Sequence, residues 1–164
     1  MKIGIISDTH DNVEAVIRAV ALFRRKGVVM VIHCGDIISP GTVRFFKGIT
    51  TRFVIGNCDS QIERMRMAAS EIDGSIEGRL LEMEIGGLLI AACHGDDDIL
   101  ERLIDSGKYD YILTGHTHKS KIENIGRTTL VNPGSHYYGG EGKVAILDTD
   151  KKNAVLLDIK EETQ

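Results

Sequence analysis

Five short apolar runs in this chain are each followed at once by side chains able to hold a metal ion. KIGIIS leads to Asp8 and His10, VVMVIHCG to Asp36, RFVIG to Asn57, LLIAAC to His94, and YDYILTG to His116 and His118. Taken singly, an Asp or Asn after an apolar run is explained by turn formation or helix capping. Five recurrences of one pattern need another reason. Two carboxylates, four imidazoles and one amide make a mixed nitrogen and oxygen set. Such a set suits Mn, Fe, Zn, Ni or Co rather than calcium or an all-thiolate site. Seven donors exceed what one such ion takes, so the set implies two ions.

For these residues to meet, the runs must lie side by side. In open α/β sheets the ligand crevice lies beyond the carboxyl ends of the strands, which is where each donor falls. The apolar periodicity supports that layout. Residues 2–7 read as a strand, and over 12–26 Val13, Val16, Ile17, Val20 and Phe23 recur at helical intervals. Gly27 ends that helix, after which 28–33 reads as a strand, 40–47 as a short helix and 52–55 as a third strand. This alternation predicts a parallel sheet. Over 61–72, Ile62, Met65, Ala69 and Ile72 share a helical face until Asp73-Gly74 breaks it. Residues 79–85 and 88–93 read as strands joined by a Gly86-Gly87 hairpin turn. A helix over 97–105, a buried strand over 109–114 and short strands over 121–125, 128–131, 143–147 and 154–159 complete the pattern. The polar tail 160–164 is expected to fray.

Composition narrows the class. A length of 164 residues suits one core, so 1–164 is expected to be a single domain. No run approaches the roughly 18 to 20 apolar residues of a membrane span. The N-terminus meets acid and His where a signal peptide would stay apolar, so the expected location is the cytoplasm. With 20 Lys and Arg against 24 Asp and Glu there is no dense basic block to grip a nucleic-acid backbone, which leaves at most short nucleotides. Cys34, Cys58 and Cys93 form no CxxC pair and are odd in number, against a zinc knot or a disulfide framework.

The ordered motifs Asp8-Thr9-His10, Gly35-Asp36, Gly56-Asn57-Cys58-Asp59, His94-Gly95 and Gly115-His116-Thr117-His118 resemble those of the calcineurin-like metallophosphoesterases, from Met1 to about Ser135. The short length, the Asn-Cys-Asp variant and Asn132-Pro133-Gly134-Ser135 make the chain similar to that superfamily's small archaeal and bacterial phosphodiesterases. The resemblance implies the α/β metallophosphoesterase fold, a four-layer α-β-β-α sandwich of two mixed sheets with flanking helices. It implies that Asp8, His10, Asp36 and His118 hold one divalent ion and Asp36, Asn57, His94 and His116 a second, with Asp36 as bridge. Mn2+ or Ni2+ are the expected ions, with Fe, Co and Zn as alternatives. A hydroxide shared by the two ions would attack a phosphodiester, with Asp36 and Asn57 as catalytic residues and Asn57 stabilising charge on the phosphorus oxygens.

Many relatives carry His after the metal-binding Asn and use it to protonate the leaving alkoxide, whereas this chain has Cys58. A thiol hydrogen-bonds weakly, so either good leaving groups are preferred or solvent supplies the proton. Without a ring to orient, Asp59 is expected to bond backbone or substrate. His136 is either a leaving-group contact or an exposed loop histidine, and Asn12 is expected to cap the first helix, whose N-terminus favours a nearby phosphate.

Simpler readings cover other residues. His33 reads as a core histidine, and Cys34 and Cys93 as small buried hydrophobes. Asp96, Asp97 and Asp98 read as acids complementing a helix dipole, and Gly139, Gly140 and Gly142 as a turn. Met67 lies off its helix's apolar face, at a subunit contact, at the substrate mouth or simply exposed. The expected partner is a small phosphate ester, and a homodimer or homotetramer is expected. Competing functions are a phosphomonoesterase, a nuclease on short strands, and a non-catalytic protein-interaction scaffold, since a retromer subunit shares this fold. The filled donor set speaks against the scaffold, because buried carboxylates and imidazoles at such density are costly without cations.

Overall fold

The first strand shows how the layers arise. In β1 (Lys2–Ile6) alternate side chains face opposite ways, so Ile3 and Ile5 enter one apolar layer while Gly4 and Ile6 face another. A Cβ on Gly4 would lie 2.8 Å from the Phe23 ring, so this strand position must be glycine for the first helix to pack against it. That helix, α1 (Val13–Arg25), begins where Asn12 accepts a hydrogen bond from the Ala15 amide at 3.1 Å, the cap expected of it. The cap contributes about 1 kcal/mol. Gly27, at φ +71°, turns the chain out of it.

The computed structural model describes residues 1–160, so most of the tail expected to fray lies outside the described residues. The chain continues through β2 (Met30–His33), α2 (Pro40–Val43) with a 3-10 turn over Arg44–Phe46, β3 (Thr50–Val54), α3 (Ile62–Ser70) and β4 (Gly74–Gly78). Then follow β5 (Leu80–Ile85), β6 (Leu88–Cys93), α4 (Ile99–Ser106), β7 (Tyr111–Leu113), β8 (Lys121–Ile125), β9 (Thr128–Asn132), β10 (Lys143–Asp148) and β11 (Asn153–Asp158). One sheet has the order β11-β10-β1-β2-β3-β4 and the other β5-β6-β7-β9-β8.

Both sheets are mixed. β1 to β4 run parallel, while β10 pairs antiparallel with β1 and β11 with β10. In the second sheet β6, β7 and β9 are parallel, and β5 and β8 are antiparallel edges. Three apolar layers fill the spaces between. Val16, Phe23, Val43, Phe46, Met65 and Ala68 pack helices α1 to α3 on the first sheet. Ile3, Ile5, Ile32, Ile90, Leu113 and Leu147 join the two sheets. Ala91, Cys93 and Ile112 meet Leu103 of α4. Three apolar layers separate four structural ones, giving the expected α-β-β-α sandwich.

One strand was not foreseen. β4 follows directly on the Asp73-Gly74 break and pairs in parallel with β3, Thr51 opposite Gly74 and Phe53 opposite Ile76. Of its residues GSIEG only Ile76 is buried, so the segment carries neither apolar alternation nor β-branched enrichment and is a strand because β3 offers it an edge.

Candidate metal centre

Parallel pairing brings the ends of β1, β2 and β3 to one rim, and β6 and β7 bring theirs from the second sheet. The loops there are laced by backbone hydrogen bonds. The Asp8 amide donates to Gly35 O, the His10 amide to Asp36 O and the Gly115 amide to His94 O, each at 3.0 Å. Asp8, His10, Asp36, His116 and His118 have φ values of 51°, 43°, 58°, 65° and 61°. Left-handed backbone at a non-glycine residue costs on the order of 1 kcal/mol or more, and clusters of it mark functional sites. Neighbouring glycines leave room for the donors. A Cβ on Gly56 would lie 2.1 Å from Asp36 Oδ1, and one on Gly115 1.9 Å from Ser7 Oγ.

The donors converge. Asp8 Oδ1 lies 3.2 Å from His118 Nε2, 3.8 Å from His10 Nε2 and 4.0 Å from His94 Nε2. Asp36 Oδ2 lies 3.4 Å from His94 Nε2 and 3.7 Å from His10 Nε2. Asn57 Oδ1 is 3.1 Å from His94 Nε2, and the His94 and His116 rings meet edge to face with centroids 5.2 Å apart. Among the described residues, three donor groups are compact enough for one ion each: Asp8 with His10 and His118, Asp8 with Asp36 and His94, and His10 with Asp36 and Cys58. Asp36 takes part in two of them, as a bridge would, but so do Asp8 and His10, and the Cys58 thiol joins one as a donor outside the set expected from the sequence.

A cation fits this set. Asp8 is fully buried, and its Oδ1 has no hydrogen-bond partner among the described residues, a costly condition for a carboxylate oxygen unless a cation takes it up. The Asp8 Oδ2 is bound by the Ser7 hydroxyl at 2.5 Å and the His116 amide at 3.0 Å, so the orphaned oxygen is aimed by its twin. His94 Nδ1 lies 2.8 Å from Cys34 O, a contact that turns Nε2 toward both aspartates.

Burial opposes a charge on the His94 ring, but the hydrogen bonds to Asp36 and the Cys34 carbonyl outweigh it and raise its pKa to about 9. The metal-free ring therefore holds a proton at neutral pH, and an incoming cation must displace it. That proton stabilises the metal-free fold fully below the unfolded-state value of about 6.5, and the contribution is lost as pH rises through about 9. Manganese titrated into chelator-stripped protein near neutral pH is expected to release about one proton from this ring. The measurement is the change in calorimetric heat between buffers of different ionisation enthalpy, and the His94 share of the release should vanish above pH ~9.

The remaining site residues divide. Asn12 donates its amide to the His136 carbonyl at 2.8 Å, besides capping α1. Asp59 bonds backbone, the first of its two expected roles: Oδ2 accepts from the Asp36 amide at 2.9 Å and the Gly56 amide at 2.8 Å, and Oδ1 from the Ile38 amide at 2.8 Å. Cys58 is exposed, and partial desolvation of its thiol, then its hydrogen bond to Asp36 and that carboxylate's charge, raise its pKa to about 11. The reading of His136 as an exposed loop histidine is wrong. Its ring is buried, which lowers its pKa to about 4, and its amide donates to Asp8 O at 3.0 Å, so it supports the Asp8 turn through its backbone. His33 is a core histidine as read, Nε2 lying 3.0 Å from Thr9 Oγ1 with the ring against Phe46 and Phe53. Asp96 and Asp97 do more than complement a dipole, since Arg79 binds both, at 2.5 Å and 2.8 Å. Met67 is exposed on α3, and Cys34 and Cys93 are buried.

Sequence reasoning missed a supporting set. The Asn132 amide donates to Gly115 O at 2.8 Å and Thr117 Oγ1 at 3.1 Å, holding the His116 and His118 loop, and Ser135 Oγ donates to Asp8 O at 3.1 Å. The run Asn132-Pro133-Gly134-Ser135 was the available signal, since Asn beside Pro-Gly marks a turn whose side chains serve neighbouring backbone.

The fold and this cluster define a phosphoesterase of the calcineurin-like class, and residues 1–152 match the calcineurin-like phosphoesterase superfamily domain, to which the chain belongs. It is 34% identical over 158 residues to phosphodiesterase MJ0936 of Methanocaldococcus jannaschii, covering 93% of this chain and 95% of that one. It is 26% identical to phosphodiesterase YfcE of Escherichia coli K12, over 96% and 93% of the two chains. A solved archaeal phosphodiesterase superposes with a TM-score of 0.89 at 33% identity, over 96% of this chain and 99% of that one. Among the described residues no helix is long and apolar enough to cross a membrane.

Proposed function

We propose that this protein hydrolyses phosphodiesters of small molecules at a centre of two divalent cations, with Mn2+ or Ni2+ the best-suited ions. The supporting observation is the buried, unpartnered Asp8 Oδ1 facing imidazoles beside Asp36, in a chain whose relatives are phosphodiesterases. Asp8, His10, Asp36 and His118 would hold one ion, and Asp36, Asn57, His94 and His116 the other. When bound, such a pair neutralises phosphate charge and lowers the pKa of a water toward neutrality. The chain's own groups orient the substrate: the exposed Asn57 amide offers N–H donors to a phosphorus oxygen, and the Asp59 tie holds its loop in place.

The test is hydrolysis of bis-p-nitrophenyl phosphate and p-nitrophenyl phosphate by chelator-stripped protein with Mn, Ni, Co, Zn or Mg restored. Metal-dependent turnover favouring the diester is expected. Preference for the monoester would make it a phosphomonoesterase, and bound metal without turnover on either ester would favour the scaffold.

Cys58 sets the leaving-group preference. A thiol held near pKa 11 is a weak hydrogen-bond donor to a developing alkoxide, whereas p-nitrophenolate leaves without protonation. Cys58→His is therefore expected to raise kcat on a dialkyl phosphate by about tenfold or more while changing the bis-p-nitrophenyl ester far less. An equal change on both esters would show that leaving-group protonation is not what Cys58 limits.

A further inference from the structure

The chain has four tyrosines and no tryptophan, and it spends the tyrosines unevenly. Tyr109 and Tyr111 are buried in the apolar layers, whereas Tyr137 and Tyr138 are 51% and 86% exposed and adjoin the candidate metal centre. The Tyr137 ring meets the His10 ring edge to face at 5.1 Å and lies 6.3 Å from the His118 ring. Tyr138 continues the series outward, 6.0 Å from Tyr137. A row of rings therefore runs from the imidazoles among the donors into solvent.

The row is held in place. The Tyr137 amide donates to Ser135 Oγ at 3.0 Å, and that hydroxyl donates in turn to Asp8 O. The Gly140 amide closes a turn on Tyr137 O at 2.7 Å, and the Gly142 amide one on Ser135 O at 3.1 Å. Tyrosine presents a large, rigid, partly apolar surface at low entropic cost, and exposed aromatic faces stack with nucleobases irrespective of sequence.

We infer that Tyr137 and Tyr138 form a stacking face for a planar aromatic substituent of the substrate, a nucleobase or aryl ring, and so set specificity. This rests on the phosphodiesterase reading. A phosphate seated among the donors places its ester substituents beside His10 and His118, where the ring row begins. The net charge of −4 and the absence of a basic block make the fitting ligand one nucleoside or aryl ester rather than a long polyanion.

Two diesters with one leaving group test this on the metal-loaded full chain: the p-nitrophenyl ester of thymidine monophosphate and methyl p-nitrophenyl phosphate. The wild type is expected to show a KM about tenfold lower for the thymidine ester with similar kcat. Tyr138→Ala should bring the KM ratio toward one, and Tyr138→Phe should keep it. A parallel titration compares binding of thymidine monophosphate with that of methyl phosphate, and the same preference, lost in Tyr138→Ala, is expected. Equal KM values in the wild type, or a ratio unmoved by Tyr138→Ala, would overturn the inference. So would sedimentation showing that Tyr138→Ala splits a dimer while the ratio stays, since the rings would then face a second copy. If neither ester is hydrolysed the phosphodiesterase reading fails, and the titration still decides whether the rings bind the base.

Discussion

Asp36→Ala is expected to lower kcat/KM for bis-p-nitrophenyl phosphate by about a thousandfold or more at saturating manganese. Its Oδ2 faces His94 and His10, and its Oδ1 accepts the Cys58 amide at 2.9 Å, so one side chain faces donors from both sheets and fixes the loop that carries Asn57. The alanine variant removes the charge and the loop contact together. Asp36→Asn separates them, because an amide oxygen can still accept from Cys58 while the negative charge between the imidazoles is gone. If the charge matters most, the asparagine variant is nearly as inactive as alanine, and its metal content, measured after dialysis, falls with its activity. Turnover within tenfold of wild type in both variants would remove Asp36 from the reaction.

The second large effect is on folding. Asp59→Ala leaves three backbone amides, those of Asp36, Ile38 and Gly56, without the acceptor that gathers them. At about 1 to 3 kcal/mol for each buried donor left unsatisfied, the expected loss is about 4 kcal/mol, or a thermal midpoint about 10 °C lower for a chain of this size. Urea unfolding of the metal-free protein measures it without the contribution of bound ions. Because the carboxylate ties the loop after β2 to the loop after β3, the variant is also expected to bind metal more weakly. A midpoint unchanged within error would mean that the loops hold their shape without the tie.

The positions of the candidate donors were legible because a strand end is a local event: an apolar run stops, and the next polar side chain stands at the rim. The four layers were legible only through the family resemblance, since β10 is remote in sequence from β1 yet pairs with it, and such pairing is set by which faces can be buried together. β4 was illegible because its GSIEG residues have no periodicity of their own. Side-chain partners were the hardest to foresee. Nothing local says that Asp59 serves three amides, that Arg79 reaches Asp96 and Asp97, or that the ring of His136 turns inward. The left-handed backbone at Asp8, His10, Asp36, His116 and His118 is likewise imposed by the loops' mutual hydrogen bonds, against the preference of each residue.

Asp8, His10, Asp36 and Asn57 follow strands of one sheet, and His94, His116 and His118 follow strands of the other. A cation held by donors from both is a rivet through two plates. The faces it would join meet through apolar side chains, and at this rim also through the His94 ring on Cys34 O and the His116 amide on Asp8 Oδ2. If the proposed cations bind, their occupancy would add to those ties and lower how often the plates part and how often a protease finds an open chain. In a protein that depends on such ions, loss of the metal would shorten its lifetime as well as stop its turnover.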